Sequence, residues 1–261
     1  MDQYSIRTVR LEGFTHETDK LFFSATGWLA RKNRKIYLIS NYHILDGRRV
    51  SDSKPFHPTG ALPGAIRVHC KIIKVLPQGQ PEVRLLEFID INFTIDLSRY
   101  QLLWNSELRS DVAALDITHI SSDFPDGYDF DAWDLDELSV PARPLAVMNE
   151  LFIIGFPNTA LAVQTNSPIY KSASIASEPE TTKEQGYFLA DGKTKPGMSG
   201  SPVILKDGLV GQPSASGYAL KMGWTHLIGI YSGRDENDPE LFTAELGKIW
   251  LLDETLLALL K

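Results

Sequence analysis

The sequence of 261 residues contains a single cysteine, Cys70, which excludes an internal disulfide. Secreted proteins commonly carry disulfides, so this scarcity favours a reducing compartment. No apolar run approaches the roughly 20 residues that a membrane-spanning helix needs. The first residues also lack a basic segment followed by an apolar one, which predicts that no secretory signal is present. We therefore expect a cytoplasmic protein with no membrane partner.

Basic residues are in the minority, with 26 Lys and Arg against 33 Asp and Glu, and the net charge is -7. Nucleic-acid binding needs concentrated Lys and Arg, so nucleic acid is not expected as a partner. The basic stretch 31–35 lies between two apolar runs and is interpreted as a hairpin turn. The acidic stretch 121–138 lacks the spacing of an EF-hand, so we expect a connection between lobes and no metal site.

The hydrophobic residues, 43% of the chain, are distributed as many short runs bounded by turn signals. Runs such as 36–40 and 227–231 are rich in β-branched and aromatic residues, which predicts strands. Near the end, Leu252, Leu256 and Leu259 recur at helical spacing and predict a single helix. The sequence thus predicts an all-β protein with one C-terminal α-helix.

Three short segments carry the residue types that peptide hydrolysis by serine requires. Such chemistry needs a nucleophile, a base, a carboxylate that orients the base, and N–H donors for an oxyanion. Ser199 lies in a glycine-rich turn, where the N–H groups of Gly197 and Ser199 would converge on one point. His43 follows an apolar strand, and Asp111 opens another. Each segment alone is typical of an ordinary turn, core histidine or cap, and only the combination indicates a site.

Taken in chain order, these segments resemble the trypsin-like serine peptidase superfamily. They read Ser-Asn-Tyr-His at 40–43, Asp-Val-Ala-Ala-Leu at 111–115 and Gly-Met-Ser-Gly-Ser-Pro at 197–202. The disulfide-free bacterial branch, with the high-temperature-requirement proteases and the glutamyl endopeptidases, is the most similar. An α/β-hydrolase is disfavoured because its triad runs Ser, Asp, His, and only His226 follows Ser199.

The resemblance implies a fold of two six-stranded antiparallel β-barrels. The corresponding division of the chain is an N-terminal lobe with the His and Asp at 1–120 and an acidic connection at 121–145. A C-terminal lobe with the Ser follows at 146–245, and the predicted helix occupies 246–261.

The resemblance also implies a serine endopeptidase that forms an acyl-enzyme with a polypeptide substrate. Ser199 would be the nucleophile, His43 the base and Asp111 the orienting carboxylate. The backbone of Gly197 and Ser199 would bind the oxyanion. Asp116 is a weaker candidate for the carboxylate, because the family motif places the acid before the apolar stretch. Neither a metal nor an organic cofactor is expected.

Substrate selection is assigned by the same resemblance to residues around the S1 pocket, which receives the residue before the scissile bond (P1). Lys193 and Thr194 would form its floor, and Tyr231, Ser232 and Gly233 its wall. No acid stands where it would select a basic P1 residue. Thr194 matches a threonine of the glutamyl endopeptidases, although Tyr231 replaces their histidine. Because Lys193 is cationic, as is Arg234 beside the wall, we expect an acidic or polar P1 residue.

Two other functions remain open at this point. One is a catalytically silent trypsin-like binding module. The other is a protease effector that acts only in a larger assembly, docked through its leucine-rich terminal helix to an activating or scaffolding protein. Met198 before the nucleophile cannot form the ion pair through which digestive trypsins are activated, so activation by N-terminal clipping is not expected.

Overall fold

The computed structural model describes residues 2–15, 18–75, 87–138, 141, 144–206, 210–214, 217–221, 225–233, 243–252 and 257–260. Strands dominate these residues, as the sequence predicted for an all-β protein. The α-helices are short: α1 (Gln3–Arg7), α2 (Tyr42–Leu45) and α3 (Ala160–Thr165). The 3-10 helices are Leu97–Arg99, Thr118–Asp123 and Lys183–Gln185. Within the described part of the chain, no helix is long and apolar enough to cross a membrane.

The first lobe is an eight-stranded sheet. Its strands are β1 (Thr8–Thr15), β2 (Thr18–Lys32), β3 (Lys35–Ser40), β4 (Ala65–Lys74), β5 (Phe88–Asp96), β6 (Ala113–Asp116), β7 (Tyr128–Phe130) and β8 (Trp133–Asp134). Six of them pair antiparallel in the order β5-β4-β1-β2-β3-β6, while β7 pairs with β4 and β8 with β2. Since this sheet is not a closed ring in the described residues, the predicted N-terminal barrel stays a prediction.

The second lobe is a closed barrel of six strands, which confirms one of the two predicted barrels. Its strands are β9 (Glu150–Gly155), β10 (Ile169–Ile175), β11 (Tyr187–Asp191), β12 (Ser201–Lys206), β15 (Thr225–Tyr231) and β16 (Leu246–Leu251). Around the ring they follow the order β10-β11-β16-β15-β12-β9. A separate hairpin consists of β13 (Val210–Ser214) and β14 (Gly217–Lys221).

The helix predicted over 246–261 is wrong in its first part, because Leu246–Leu251 form strand β16. This strand pairs with β11 and with β15, so it supplies two seams of the barrel. Gly247 and Ile249 are buried and alternate with the half-buried Lys248 and Trp250, which is the two-residue period of a strand. The leucines at helical spacing lie after β16, and residues 253–256 among them lie outside the described residues.

The basic stretch 31–35 is the hairpin turn that the sequence predicted. Lys32 pairs with Lys35, so the loop contains only Asn33 and Arg34. Both have positive φ, +50° and +65°, as the type I′ turn of a two-residue hairpin requires. The hairpin joins β2 to β3. Strand β3 ends at Ser40, three residues before His43.

The two lobes are held together because β3 is buried on both faces. Ile36 and Leu38 point into the core of the first lobe. Tyr37 and Ile39 point to the other face, into a cluster shared between the lobes. From the barrel, that cluster receives Ile154 of β9, Ile204 of β12 and Ile230 of β15. Full burial of one such aliphatic side chain stabilises the fold by roughly 2 kcal/mol, so the lobes form one packed unit.

Candidate active site

His43 lies in the single turn of α2, immediately after β3. All four residues of this helix are buried, and His43 itself is 6% exposed. The side-chain amide of Asn41, the residue before the helix, donates to the backbone carbonyl of Asp111 (2.8 Å). The helix is therefore tied to the segment that enters β6, and the histidine has little freedom to move.

Asp111 holds His43 through both carboxylate oxygens. The His43 backbone N–H donates to Oδ1 (3.0 Å), and Nδ1 of the ring lies 2.7 Å from Oδ2. A carboxylate only accepts, so we assign the ring proton to Nδ1, which leaves Nε2 as the unprotonated nitrogen. The hydroxyl of Ser232 also donates to Oδ2. Three donors thus fix the orientation of the carboxylate beside the ring.

Two aromatic residues, Tyr42 and Trp104, pack beside the segments that carry His43 and Asp111. Trp104 stacks on Tyr42 with ring centroids 4.1 Å apart, and its indole N–H donates to the carbonyl of Ser110 (2.7 Å). Burial, with a smaller contribution from the hydrogen bond to Asp46, raises the pKa of Tyr42 to about 12. The hydroxyl of Tyr42 therefore stays neutral through the physiological range and adds no charge beside the pair.

The turn that carries Ser199 is packed against β2 of the first lobe. The backbone N–H of Thr26 donates to the carbonyl of Ser199 (2.9 Å). The hydroxyl of Thr26 donates to the carbonyl of Gly197 (2.8 Å). Gly200 has φ of +87°, and a Cβ there would lie 1.9 Å from the Thr26 carbonyl oxygen, so only glycine fits. On the other side, the Gly200 N–H donates to the carbonyl of Tyr231 in β15 (2.8 Å).

Some backbone N–H groups of this turn donate hydrogen bonds to described residues of the protein, and others do not. The N–H of Met198 donates to the carbonyl of Lys195 (3.2 Å), and that of Ser201 donates to Met198 (3.1 Å). For the N–H groups of Gly197 and Ser199, no acceptor is found among the described residues. Two neighbouring N–H groups without protein acceptors are suited to receive an anionic oxygen.

Ser199 and His43 face one cavity of about 370 Å³ that lies between the lobes. Gly233 also borders it, so close to the nucleophile candidate that a Cβ on Gly233 would lie 3.0 Å from Ser199 Oγ. Asp111 does not line the cavity, but it contacts two residues that do, His43 and Ser232. The structure therefore brings the three predicted residues together, from α2, the segment before β6 and the turn before β12.

Asp116, the weaker candidate for the carboxylate, lies at the far end of β6. Its carboxylate is 3.3 Å from Nζ of Lys35 and accepts from the backbone and hydroxyl of Thr118. Burial acts to raise the pKa of Asp116, but the Thr118 hydrogen bonds and Lys35 prevail and lower it. Because these contacts lie at the hairpin end of the sheet, Asp116 has a structural role there.

The residues predicted for substrate selection divide into two groups. Thr194, Tyr231, Ser232 and Gly233 line the cavity, and the hydroxyls of Thr194 and Tyr231 lie 2.5 Å apart. Lys193 is exposed and is not among the lining residues, whereas Lys195 is. Arg234 lies outside the described residues.

The sequence reasoning missed four aromatic residues that border the same cavity: Phe22 and Phe23 in β2, and Phe56 and His57 in the loop after α2. Phe56 stacks on His43 with ring centroids 4.3 Å apart and an interplanar angle of 23°. The motif Pro-Phe-His-Pro at 55–58 gave no periodic signal. Only the folded path of the loop carries it onto the histidine.

A fold of this kind, with its candidate site between two β lobes, indicates the class of trypsin-like serine peptidases. The family model described as "Trypsin-like peptidase domain" matches residues 25–211, more than half of the chain. The chain belongs to this family. The matched range contains His43, Asp111 and Ser199.

Solved structures similar to this chain include a serine endoprotease from Yersinia pestis, at 13% identity and a TM-score of 0.47. That match covers 98% of this chain and 62% of the Yersinia chain, so this chain spans less than two thirds of its length. The Rv3671c protease in its inactive form is 12% identical, with a TM-score of 0.45 and coverage of 97% and 86%. Its active form, from M. tuberculosis, is 12% identical, with a TM-score of 0.45 and coverage of 95% and 77%. A search of curated proteins gave no significant match.

Proposed function

We propose that this protein is a serine endopeptidase that hydrolyses polypeptides through Ser199, His43 and Asp111. The observation that carries the proposal is the 2.7 Å contact between His43 Nδ1 and Asp111 Oδ2, on a ring that shares its cavity with Ser199. This contact keeps the proton on Nδ1, so that Nε2 is the nitrogen able to accept the serine proton.

The proposed reaction has two halves. Ser199 Oγ attacks the carbonyl carbon of the scissile bond while its proton passes to His43 Nε2. The N–H groups of Gly197 and Ser199 bind the oxyanion. His43 then protonates the leaving amine, the C–N bond breaks, and the acyl-enzyme remains. A water molecule attacks the acyl carbon, gives one proton to Nε2, and Ser199 departs with that proton restored.

The proposed S1 pocket comprises Thr194 and Tyr231 with Ser232 and Gly233 beside them, whereas the exposed Lys193 does not line it. Two hydroxyls 2.5 Å apart in a buried position form a polar floor. Hydroxyl groups at the floor of the pocket favour a polar P1 side chain over an apolar one. Within the lining residues the nearby charge is that of Lys195, so the proposal is an acidic or polar P1 residue.

We further propose a cytoplasmic location and catalysis without metal or organic cofactor. The single thiol of Cys70 is buried, and this burial raises its pKa, as expected for a core residue with no redox task. The described residues contain no group of three His, Cys, Asp or Glu side chains that could hold a metal ion. The alternative function, a protease effector docked through a leucine-rich terminal helix, is not supported by residues 246–251, because they form a barrel strand.

The test is intact-mass analysis after exposure to a fluorophosphonate probe. Wild type, Ser199→Ala and the control Ser98→Ala are compared, since Ser98 is an exposed serine that does not line the cavity. One adduct on wild type and control, with none on Ser199→Ala, supports the proposal. A folded wild type that takes no adduct contradicts it and favours the silent binding module.

A further inference from the structure

One side of the cavity in front of Ser199 is an aromatic wall, formed by Phe22, Phe56 and His57. Phe56 stacks on His43, and Phe22 lies 4.3 Å from His57 between ring centroids, at an interplanar angle of 44°. Phe56 is 45% exposed, although most large apolar side chains of this protein are buried. An exposed aromatic ring that borders a concave site is a typical anchor for an apolar ligand group.

The aromatic wall is held by local hydrogen bonds. The backbone N–H of Phe56 donates to the carbonyl of Gly47 (2.8 Å), which folds the loop back onto α2. Nδ1 of His57 lies 2.8 Å from the hydroxyl of Thr59. On β2, Phe22 and Phe23 both border the cavity, and Phe23 also packs against the core. The wall is therefore formed before any substrate arrives, which lowers the entropic cost of binding.

The hydrogen bonds of the nucleophile turn identify which part of a substrate the aromatic wall contacts. The turn lies between β2, where Thr26 bonds to Ser199, and β15, where Tyr231 bonds to Gly200. Thr194 and Tyr231, the proposed P1 pocket, lie on the β15 side. Phe22 and the loop with Phe56 lie on the β2 side. A peptide that crosses Ser199 thus has its acyl part against β15 and its leaving part against β2.

We propose that the aromatic wall selects the residue immediately after the scissile bond and favours a large apolar, above all aromatic, side chain there. This inference rests on the proposed function. Phe56 touches the ring of His43, whose Nε2 protonates the leaving amine in that mechanism. The side chain attached next to that amine therefore lies beside Phe56. Burial of an aromatic side chain there, relative to glycine, favours binding by roughly tenfold or more.

The test uses acyl transfer, because it separates leaving-group selection from acyl-group selection. p-Nitrophenyl acetate acetylates Ser199 and releases p-nitrophenol, so no P1 side chain is involved. An added amino acid amide then attacks the acetyl carbon, the bond to Ser199 Oγ breaks, and a proton of the amine returns to Oγ through His43. Phenylalaninamide and glycinamide compete in one mixture, and mass spectrometry measures the ratio of the two N-acetyl products.

We expect a ratio of about ten in favour of phenylalaninamide for wild type, and a ratio near one for Phe56→Ala and for Phe22→Ala. Phe88→Ala is the matched control, because Phe88 is a partly exposed phenylalanine of β5 that does not line the cavity. Both amines attack the same acetyl-enzyme, so a general loss of activity from altered His43 support leaves the ratio unchanged.

The outcomes are distinct. A wild-type ratio near one, or a ratio that Phe56→Ala leaves unchanged, overturns the aromatic wall as a selection site while the peptidase function stands. If wild type releases no p-nitrophenol above the Ser199→Ala background, no acetyl-enzyme forms, and the proposed function fails together with this inference.

Discussion

Ser232 donates a hydrogen bond to Oδ2 of Asp111. A residue that directly follows β15 of the barrel therefore restrains a carboxylate of the first lobe. That same oxygen faces Nδ1 of His43. The orientation of the histidine therefore depends on how the two lobes meet.

Replacement of Ser232 with alanine tests this dependence. Loss of a hydrogen bond to a charged group costs roughly 2 kcal/mol, which corresponds to about a thirtyfold fall in kcat/KM. We expect that fall for Ser232→Ala, and no fall for the exposed control Ser98→Ala. Peptidase kinetics on a casein-derived peptide provides the measurement. Full activity of Ser232→Ala would show that the contact has no role in catalysis.

The two aspartates of β6 and its entry give a second prediction. Asp111→Asn removes the acceptor that keeps the proton on Nδ1 of His43, so we expect a loss of roughly 10⁴-fold in kcat. Asp116→Asn affects a half-exposed pair with Lys35 and should leave kcat within about twofold, since such pairs contribute little. Burst kinetics measured on both variants gives the two values of kcat to be compared. Equal losses would contradict the assignment of Asp111.

Gly233 gives a third prediction, because a Cβ there would lie 3.0 Å from Ser199 Oγ. We expect Gly233→Ala to react with a fluorophosphonate at least about tenfold more slowly, since the methyl group displaces the nucleophile. Gly127→Ala is the matched control: its φ of +80° resembles the +86° of Gly233, but its Cβ would meet nothing within 4 Å. Both variants carry the same backbone strain, so only a steric effect on Ser199 distinguishes their labelling rates. Identical rates would exclude that effect.

The P1 preference gives a fourth prediction. In a peptide library, wild type should cleave after Glu or Gln in preference to Lys or Arg. Tyr231→Phe removes the hydroxyl that lies against Thr194, and we expect cleavage after those polar residues to fall about tenfold relative to cleavage after Leu. Tyr100→Phe, outside the cavity lining, is the control. Clean wild-type cleavage after Arg would refute the proposed preference.

The pH dependence of stability gives a fifth prediction, from a cluster on β1 and β4. Glu12 accepts from Arg10 and from Nε2 of His69. Burial acts to raise the pKa of Glu12, but His69 and Arg10 prevail and lower it from its usual 4.5. Burial lowers the pKa of His69. For both groups the unfolded chain takes up its proton at a higher pH than the folded protein, so the free energy of unfolding falls as the pH drops.

Glu12→Gln isolates the part due to the carboxylate. At pH 7 we expect the variant to be less stable by roughly 1–3 kcal/mol, because Arg10 and His69 lose their charged acceptor. Below about pH 4.5 the difference should shrink as the wild-type carboxyl is protonated. Urea unfolding from pH 7 to pH 3 measures both, with Glu107→Gln as an exposed control. A constant difference over that range would rule out the proposed linkage.

The sequence could predict the site residues to the extent that local motifs mark them. His43 after a strand, Asp111 before one and Ser199 between glycines are recognisable from a few neighbours each, and their order along the chain distinguishes fold classes. Phe56 was out of reach because its contact with His43 depends on the path of an irregular loop. Lys193 and Lys195 differ in position for the same reason, since side chains in an irregular turn follow no simple period.

The strand β16 shows the limit of periodicity in the fold itself. The predicted helix at 246–261 includes residues 246–251, although residues 246–250 alternate between half-buried and buried positions. The decisive influence is tertiary, because the edges of β11 and β15 need a partner between them. No window of neighbouring residues contains that information.

The place of β16 in the barrel has a consequence for the protein during its synthesis. His43 and Asp111 leave the ribosome first, and the Ser199 turn follows much later. Even then β15, whose Tyr231 carbonyl receives the Gly200 N–H, has an unpaired edge until residues 246–251 emerge. A nascent chain that already contains every residue of the candidate site is thus still without the strand that completes its support.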